Sequence, residues 1–174
     1  MKLRFLLFLL IVSCTGSPAP SVVSKVPITQ KRKMSTVVLA LVTRQNNITD
    51  GSQTYTYADG LVFYFIIYPN QSGLYPAIKQ YQNFTINGEP YWLNSPGSYD
   101  SHTIIYNEKT LSEQEPEVFQ KIKIRKNTNA LIQKTIICGD TLPSEGIISY
   151  HLFFGFGQIL EDFEFVFSLK DLPY

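Results

Sequence analysis

Phe163-Glu164-Phe165-Val166-Phe167-Ser168-Leu169 alternates with a period of two, placing Phe163, Phe165, Phe167 and Leu169 on one side of an extended chain. That period belongs to a strand with one buried face and one wet face, because successive side chains point to opposite sides of a sheet. A face of three phenylalanines and a leucine needs an apolar layer opposite it. Upstream segments supply that layer. Leu61 to Tyr68 is rich in aromatics and isoleucine, bounded by Asp59-Gly60 and Pro69-Asn70. Thr36 to Thr43 is β-branched and apolar and ends at Arg44-Gln45-Asn46-Asn47. Ala130 to Cys138, Ile147 to Phe154 and the short Thr103 to Tyr106 have the same character. Val118 to Lys126 also reads as a strand, with Gln120, Ile122 and Ile124 offset by Lys121, Lys123 and Arg125.

Turn chemistry separates these runs. Asn87-Gly88 suits a two-residue type I′ turn between Phe84-Thr85-Ile86 and Tyr91-Trp92-Leu93, and Pro90 confines the second arm to a sheet edge. Gly155-Phe156-Gly157 turns one strand toward the next. No ten-residue stretch carries a capped helical stripe; Pro76 to Gln82 and Ser112 to Phe119 are candidates for single helical turns. The pattern predicts an all-β fold, an antiparallel β-sandwich of about seven to nine strands over residues 35–174. The longest irregular stretches, 69–82 and 94–117, are the expected functional loops.

The amino terminus says where the protein resides. Lys2 and Arg4 precede an apolar run of eight residues, Phe5 to Val12, and then Ser13 and Cys14. Eight residues fall far short of the roughly 20 that span a bilayer, so the run is a signal-peptide core. Ile11-Val12-Ser13-Cys14 resembles the bacterial lipobox, with Ile11 where Leu is commoner. The resemblance implies a signal peptide over 1–13, cleavage after Ser13, and Cys14 carrying diacylglycerol and palmitate-type acyl chains. Thr15, in place of an aspartate that would retain a Gram-negative lipoprotein at the inner membrane, implies the outer membrane. The alternative is an ordinary secretory signal cut after Gly16. Residues 14–34, with Gly16, Pro18, Pro20 and several serines, read as a flexible tether ending at Lys31-Arg32-Lys33. That basic triplet is either a solvated linker or a contact for anionic headgroups.

Composition bounds the rest. Aromatics are 14% and apolar residues 44% of the 174, so a folded core is expected. Loss of Lys2 and Arg4 with the signal leaves 13 cations against 14 anions, which gives no electrostatic case for nucleic acid. With Cys14 lipidated or removed, Cys138 has no partner for a disulfide and reads as a buried thiol at a strand end. The fold must therefore hold by packing.

No constellation points to catalysis. Asp100-Ser101-His102 has the residue types of a hydrolytic triad, but neighbouring side chains diverge, and no Gly-x-Ser-x-Gly elbow exists. His102 reads as a loop histidine and His151 as a half-exposed strand histidine opposite the Tyr150/Leu152 face. Metal-ligand spacings are missing, no cofactor is implied, and no enzymatic activity is expected. Glu161, Asp162 and Glu164 read as charges protecting a sheet edge.

Nine of the 11 tyrosines lie between positions 55 and 106. Tyrosine strengthens strands, and it also builds recognition surfaces at small entropic cost. Tyr64 and Tyr68 are expected to pack; Tyr75, Tyr81 and Tyr99, with Trp92, form the candidate binding surface. Sequons at Asn47, Asn70 and Asn83 leave a secreted eukaryotic or viral glycoprotein as an alternative. The expected role is a lipid-anchored envelope protein whose sandwich binds an envelope partner or an extracellular ligand such as a carbohydrate. A surface adhesin is an alternative. So is a lipoprotein similar in size and layout to the small outer-membrane lipoprotein of type VI secretion systems.

Overall fold

The computed structural model describes residues 25–49, 56–70, 83–90, 101–125, 129–139, 142–156 and 159–172. Nine strands among them run in chain order as β1 (Ile28–Lys31), β2 (Ser35–Thr49), β3 (Thr56–Pro69), β4 (Asn83–Ile86), β5 (Glu89–Pro90), β6 (Ser101–Asn107), β7 (Leu131–Gly139), β8 (Ile147–Phe156) and β9 (Ile159–Ser168). They form two antiparallel sheets, ordered β1-β2-β3-β7-β6 and β5-β4-β8-β9, in an all-β sandwich. The expected signal peptide, Cys14, most of the proposed tether and the candidate residues Tyr75, Tyr81, Trp92 and Tyr99 lie outside the described residues.

The β9 alternation behaves as its sequence requires. Phe163, Phe165 and Phe167 are buried against Phe63 and Phe65 of β3 and Tyr150 of β8, while Asp162 and Glu164 are exposed. Ring centroids lie 5.3 Å apart for Phe65–Phe165 and 5.0 Å apart for Phe63–Tyr150. These tilted contacts favour aromatic quadrupoles over a face-to-face stack. Asn87 (φ 55°) and Gly88 (φ 84°) both occupy the left-handed region, as a type I′ turn demands, and β5 with Pro90 is an edge strand.

Several boundaries differ from the sequence reading. β2 continues through Arg44-Gln45-Asn46-Asn47 to Thr49, and β3 begins at Thr56, before Asp59-Gly60. Cross-strand pairing from Arg44↔Leu61 to Thr49↔Thr56 supports this longer hairpin despite its polar residues. A register shift between Leu39 and Leu41 marks a bulge at Ala40. It changes the phase, so that Val37, Leu39 and Val42 face the inner core while Ala40 and Leu41 pack outside.

Residues 94–117 are not a long loop, because they contain β6 and the helix α1 (Glu108–Gln114). His102 sits within β6 opposite Ile136, correcting its placement in a loop. The described part of Val118 to Lys126, residues 118–125, is not a strand either. Pro116 starts the helix α2 (Pro116–Lys121), its fixed φ suiting a first helical position. The alternation survives only past the helix: Ile122 is buried, Lys123 exposed, Ile124 half-buried and Arg125 exposed, and none of the four belongs to a strand.

The tether boundary also shifts. Residues 28–31, assigned above to the tether, pair with β2 from Ile28↔Leu39 to Lys31↔Thr36. β1 and β9 are the edges of their respective sheets, and side chains join them. The Gln30 side-chain amide donates to the Glu164 carbonyl, Arg32 Nε donates to the Asp162 carbonyl at 2.9 Å, and the guanidinium lies over Phe163. Glu161 is thus no simple edge charge. At 6% exposure, it accepts from Met34 N (2.6 Å) and Ser35 Oγ (2.7 Å). A hydrogen bond to a charged group contributes about 1.5–3 kcal/mol, more when its loss strands a buried donor. Glu161→Ala should therefore lower unfolding free energy by about 2 kcal/mol, read from the urea midpoint, whereas Glu164→Ala should have little effect.

Candidate functional site

Sheet β1-β2-β3-β7-β6 is apolar on its outer face as well. Val62, Tyr64, Ile66 and Tyr68 of β3 and Ile132 and Ile136 of β7 point away from the sandwich core. Leu111 of α1 and Ile122 beyond α2 pack onto them, with Val118, Phe119 and Ile124 partly buried alongside. The two short helices and residues 122–125 therefore act as a third, partial layer.

Glu115, between the helices, fixes that layer to the sheet. Its carboxylate accepts from Lys134 Nζ at 2.6 Å, Tyr64 Oη at 2.6 Å and Tyr106 Oη at 3.3 Å. The Lys134 ammonium also lies 5.7 Å from the Tyr64 ring centroid. Burial alone would raise the Glu115 pKa, but hydrogen bonds from Lys134 and Tyr64 outweigh it and hold the group below its ordinary value. Burial, reinforced by Glu115, pushes both phenols upward, Tyr64 the further. With Glu115 favoured as the carboxylate and both phenols favoured as hydroxyls, the cluster ties the cover to the sheet.

Two concavities flank this tie. One, of about 550 Å³, lies at the start of α1 and is lined by Asn107, Lys109, Ser112, Phe119 and Asn129 among others. Asn107 Oδ1 is already engaged there, accepting from Thr110 N and Thr110 Oγ1, both at 2.8 Å. The other, of about 240 Å³, runs between the edge strand β1 and the segment leaving α2. Pro27 and Thr29 line it on the β1 side, Val38 and Ala40 of β2 beneath, and Lys121 and Lys123 on the α2 side.

Elsewhere, polar clusters also serve the fold. Arg44 Nε grips both oxygens of Asp59 (3.0 and 3.1 Å), and its other nitrogens donate to the Leu142 and Pro143 carbonyls at 2.6 and 3.1 Å. Burial opposes ionisation of Asp59, yet Arg44 and backbone N–H groups hold its pKa below the ordinary value. The Asn70 side-chain amide donates to the Arg32 and Lys33 carbonyls at 2.9 and 3.2 Å, so this sequon asparagine secures the β1–β2 connection. On the outer face of the smaller sheet, Ser149 Oγ donates to Glu164 Oε1 at 2.9 Å. His151 lies half-buried between Asp162 (3.4 Å) and Glu164 (3.5 Å). The hydroxyl bonds a carboxylate and not the imidazole, so this grouping lacks the nucleophile–base contact of a triad.

Of the tyrosines between 55 and 106, Tyr57, Tyr64, Tyr68 and Tyr106 are buried. Packing, not recognition, explains these four. The proposed surface residues Tyr75, Tyr81, Tyr99 and Trp92, and Cys14, the expected lipidation residue, are outside the described residues. Glu115 escaped sequence reasoning, although Lys134 within apolar Ala130 to Cys138 signalled that some carboxylate must reach it.

No known family description matches the chain, nor does any curated protein or solved structure.

Removing one partner of a buried pair costs about 3–5 kcal/mol, and less where water reaches the pair. With Glu115 and Lys134 side chains 18% and 17% exposed, Glu115→Ala should cost about 2 kcal/mol. The pH dependence has a definite sign. Because the folded pKa of Glu115 is lowered, its contribution is complete above about 4.5 and is lost as pH falls through the folded value. In Lys134→Met the cation that lowers it is gone, so urea midpoints should show a weaker dependence on pH across that window.

Proposed function

We propose that the protein is a lipid-anchored lipoprotein of the cell envelope whose β-sandwich is a non-catalytic binding domain for an envelope partner or extracellular ligand. Cys14 carries this reading: it stands where the apolar run ends, behind the small residue Ser13, as a lipobox requires. Each buried methylene contributes about 0.8 kcal/mol, so two or three acyl chains anchor stably where one does not.

The distance from Cys14 to the fold is consistent with tethering. Thirteen residues lie between Cys14 and Ile28, the first residue of β1. A flexible chain of that length has a root-mean-square span of about 20 Å. Such a leash confines the domain near the bilayer and raises its effective concentration for any partner held there. The polar networks support a binding role over a catalytic one, since Glu115, Asp59 and Glu161 are each engaged in fixing a connection. For the ligand-binding surface, Tyr75, Tyr81, Tyr99 and Trp92 remain the proposed residues.

Mass analysis of the native protein should find a mature terminus at Cys14 bearing acyl groups. Cys14→Ala should move the protein from the membrane fraction to the soluble one or leave it as unprocessed precursor. A mature end at Ser17 without fatty acid would overturn the reading.

A further inference from the structure

We propose that the outer face of the larger sheet beside β1 is a docking surface for an anionic lipid membrane. The proposal deepens the anchored reading and rests on it.

The fold gathers cations that the sequence separates by about ninety positions. Thr29 and Lys31 lie two residues apart on β1, so they share a face, and Thr29 lines the groove that Lys121 and Lys123 also line. Lys31 pairs with Thr36, Thr36 pairs with Tyr68, and the Arg125 guanidinium lies 4.9 Å from the Tyr68 ring centroid. Lys121, Lys123 and Arg125 therefore run along the outer face toward the end of β1 that carries Lys31 and Lys33. All five are exposed. Among the described residues, Lys31, Lys33, Lys121 and Lys123 have no carboxylate within 4.0 Å. The exposed carboxylates of the cover on this face are Glu108 and Glu113 on α1 and Glu117 on α2, the adjoining helix. The exposed acids Asp162 and Glu164 stand instead on the outer face of the other sheet.

The chain is close to neutral overall, so any attraction must come from this asymmetry. Lysines suit a headgroup layer because their long stems can lie on an apolar floor such as Val38 and Ala40 while the ammonium reaches outward. A lipid surface also asks for point charges rather than the bidentate geometry that a single acidic ligand rewards. The short leash from Cys14 enters at β1, the strand that forms one wall of the groove. Acyl anchoring brings this face within a few tens of ångströms of the bilayer. Electrostatic attraction then turns it toward the headgroups.

The test uses the mature chain from residue 14 with Cys14→Ser, so that no acyl group contributes. Sedimentation with phosphatidylcholine vesicles is compared with vesicles containing roughly 30 mol % phosphatidylglycerol. Binding to the anionic vesicles should be on the order of tenfold stronger, and should fall to the neutral level as salt rises from about 50 to about 300 mM. Lys31→Glu with Lys123→Glu should abolish the preference. Lys109→Glu with Lys170→Glu, the same change in net charge at exposed sites elsewhere, should leave it within about twofold. Unchanged circular dichroism and urea midpoints establish that both variants fold. Equal loss in both variants, or no preference for anionic vesicles in the parent, overturns the docking face, including the case where an acidic protein is the true partner. Acyl analysis of the native protein answers the anchoring question separately. A lipidated protein whose mature chain ignores anionic vesicles keeps its anchor and loses this face.

Discussion

The central strand β3 has no wet face from Asp59 to Tyr68. From Leu61 to Tyr68 every side chain is buried, Phe63, Phe65 and Ile67 on one side and Val62, Tyr64 and Ile66 on the other. A fully buried aliphatic or aromatic side chain contributes about 1.5–3 kcal/mol, so both faces of β3 demand covering. A single opposing sheet satisfies only one. The chain solves the second with α1, α2 and the segment 122–125, inserted between β6 and β7 and folded back across the outer face. Helices of seven and six residues would not persist alone, so their stability is owed to this packing.

Buried charge then determines where each connection lies. Asp59 and Arg44 sit on adjacent strands and together hold Leu142 and Pro143, leading into β8. Glu161 seats the turn from β1 into β2 against the opposite sheet, and Glu115 seats the corner between the helices. Apolar packing tolerates small displacements, whereas a desolvated carboxylate displaced from its donors incurs a penalty of several kcal/mol. The three carboxylates thus restrict the ways in which connecting segments can settle on an otherwise uniform apolar surface.

The strands with one buried face were legible in the sequence. Phe163 to Leu169 and Ile147 to Phe154 alternate because one side meets the core and the other meets water, and the Asn87-Gly88 turn announces its backbone. Errors arose where alternation has a different cause. Ile122 and Ile124 alternate with Lys123 and Arg125 because they lie on a sheet, not because they join one. The polar residues Arg44 to Asn47 resemble a terminus, yet remain paired because β3 extends beside them and Asp59 engages Arg44. β1 was missed because four residues carry little periodicity, and its place depends on distant β9. In the candidate site, the lysines of Val118 to Lys126 were visible as a pattern, but their lining of one groove with Thr29 of β1 follows only from tertiary packing. The proposed lipidation of Cys14 rests on local sequence alone, because a lipobox needs no fold to be recognised.

In the anchored reading, β1 is where the leash meets the domain, and the edge position of β1 has mechanical consequences. Tension on residue 25 pulls from the end of a four-residue strand whose ladder partner lies on one side only. Peeling such a strand breaks backbone hydrogen bonds in sequence, a weak mode of resistance. The side-chain bonds from Gln30 and Arg32 to β9, and the seat of Met34 and Ser35 on Glu161, add a second line of attachment to the opposite sheet. Peeling β1 must then part the two sheets locally, exposing Phe163 beneath Arg32. The same bonds occupy the Asp162 and Glu164 carbonyls on β9, so part of that edge is shielded from strand addition by the strand to which the leash connects.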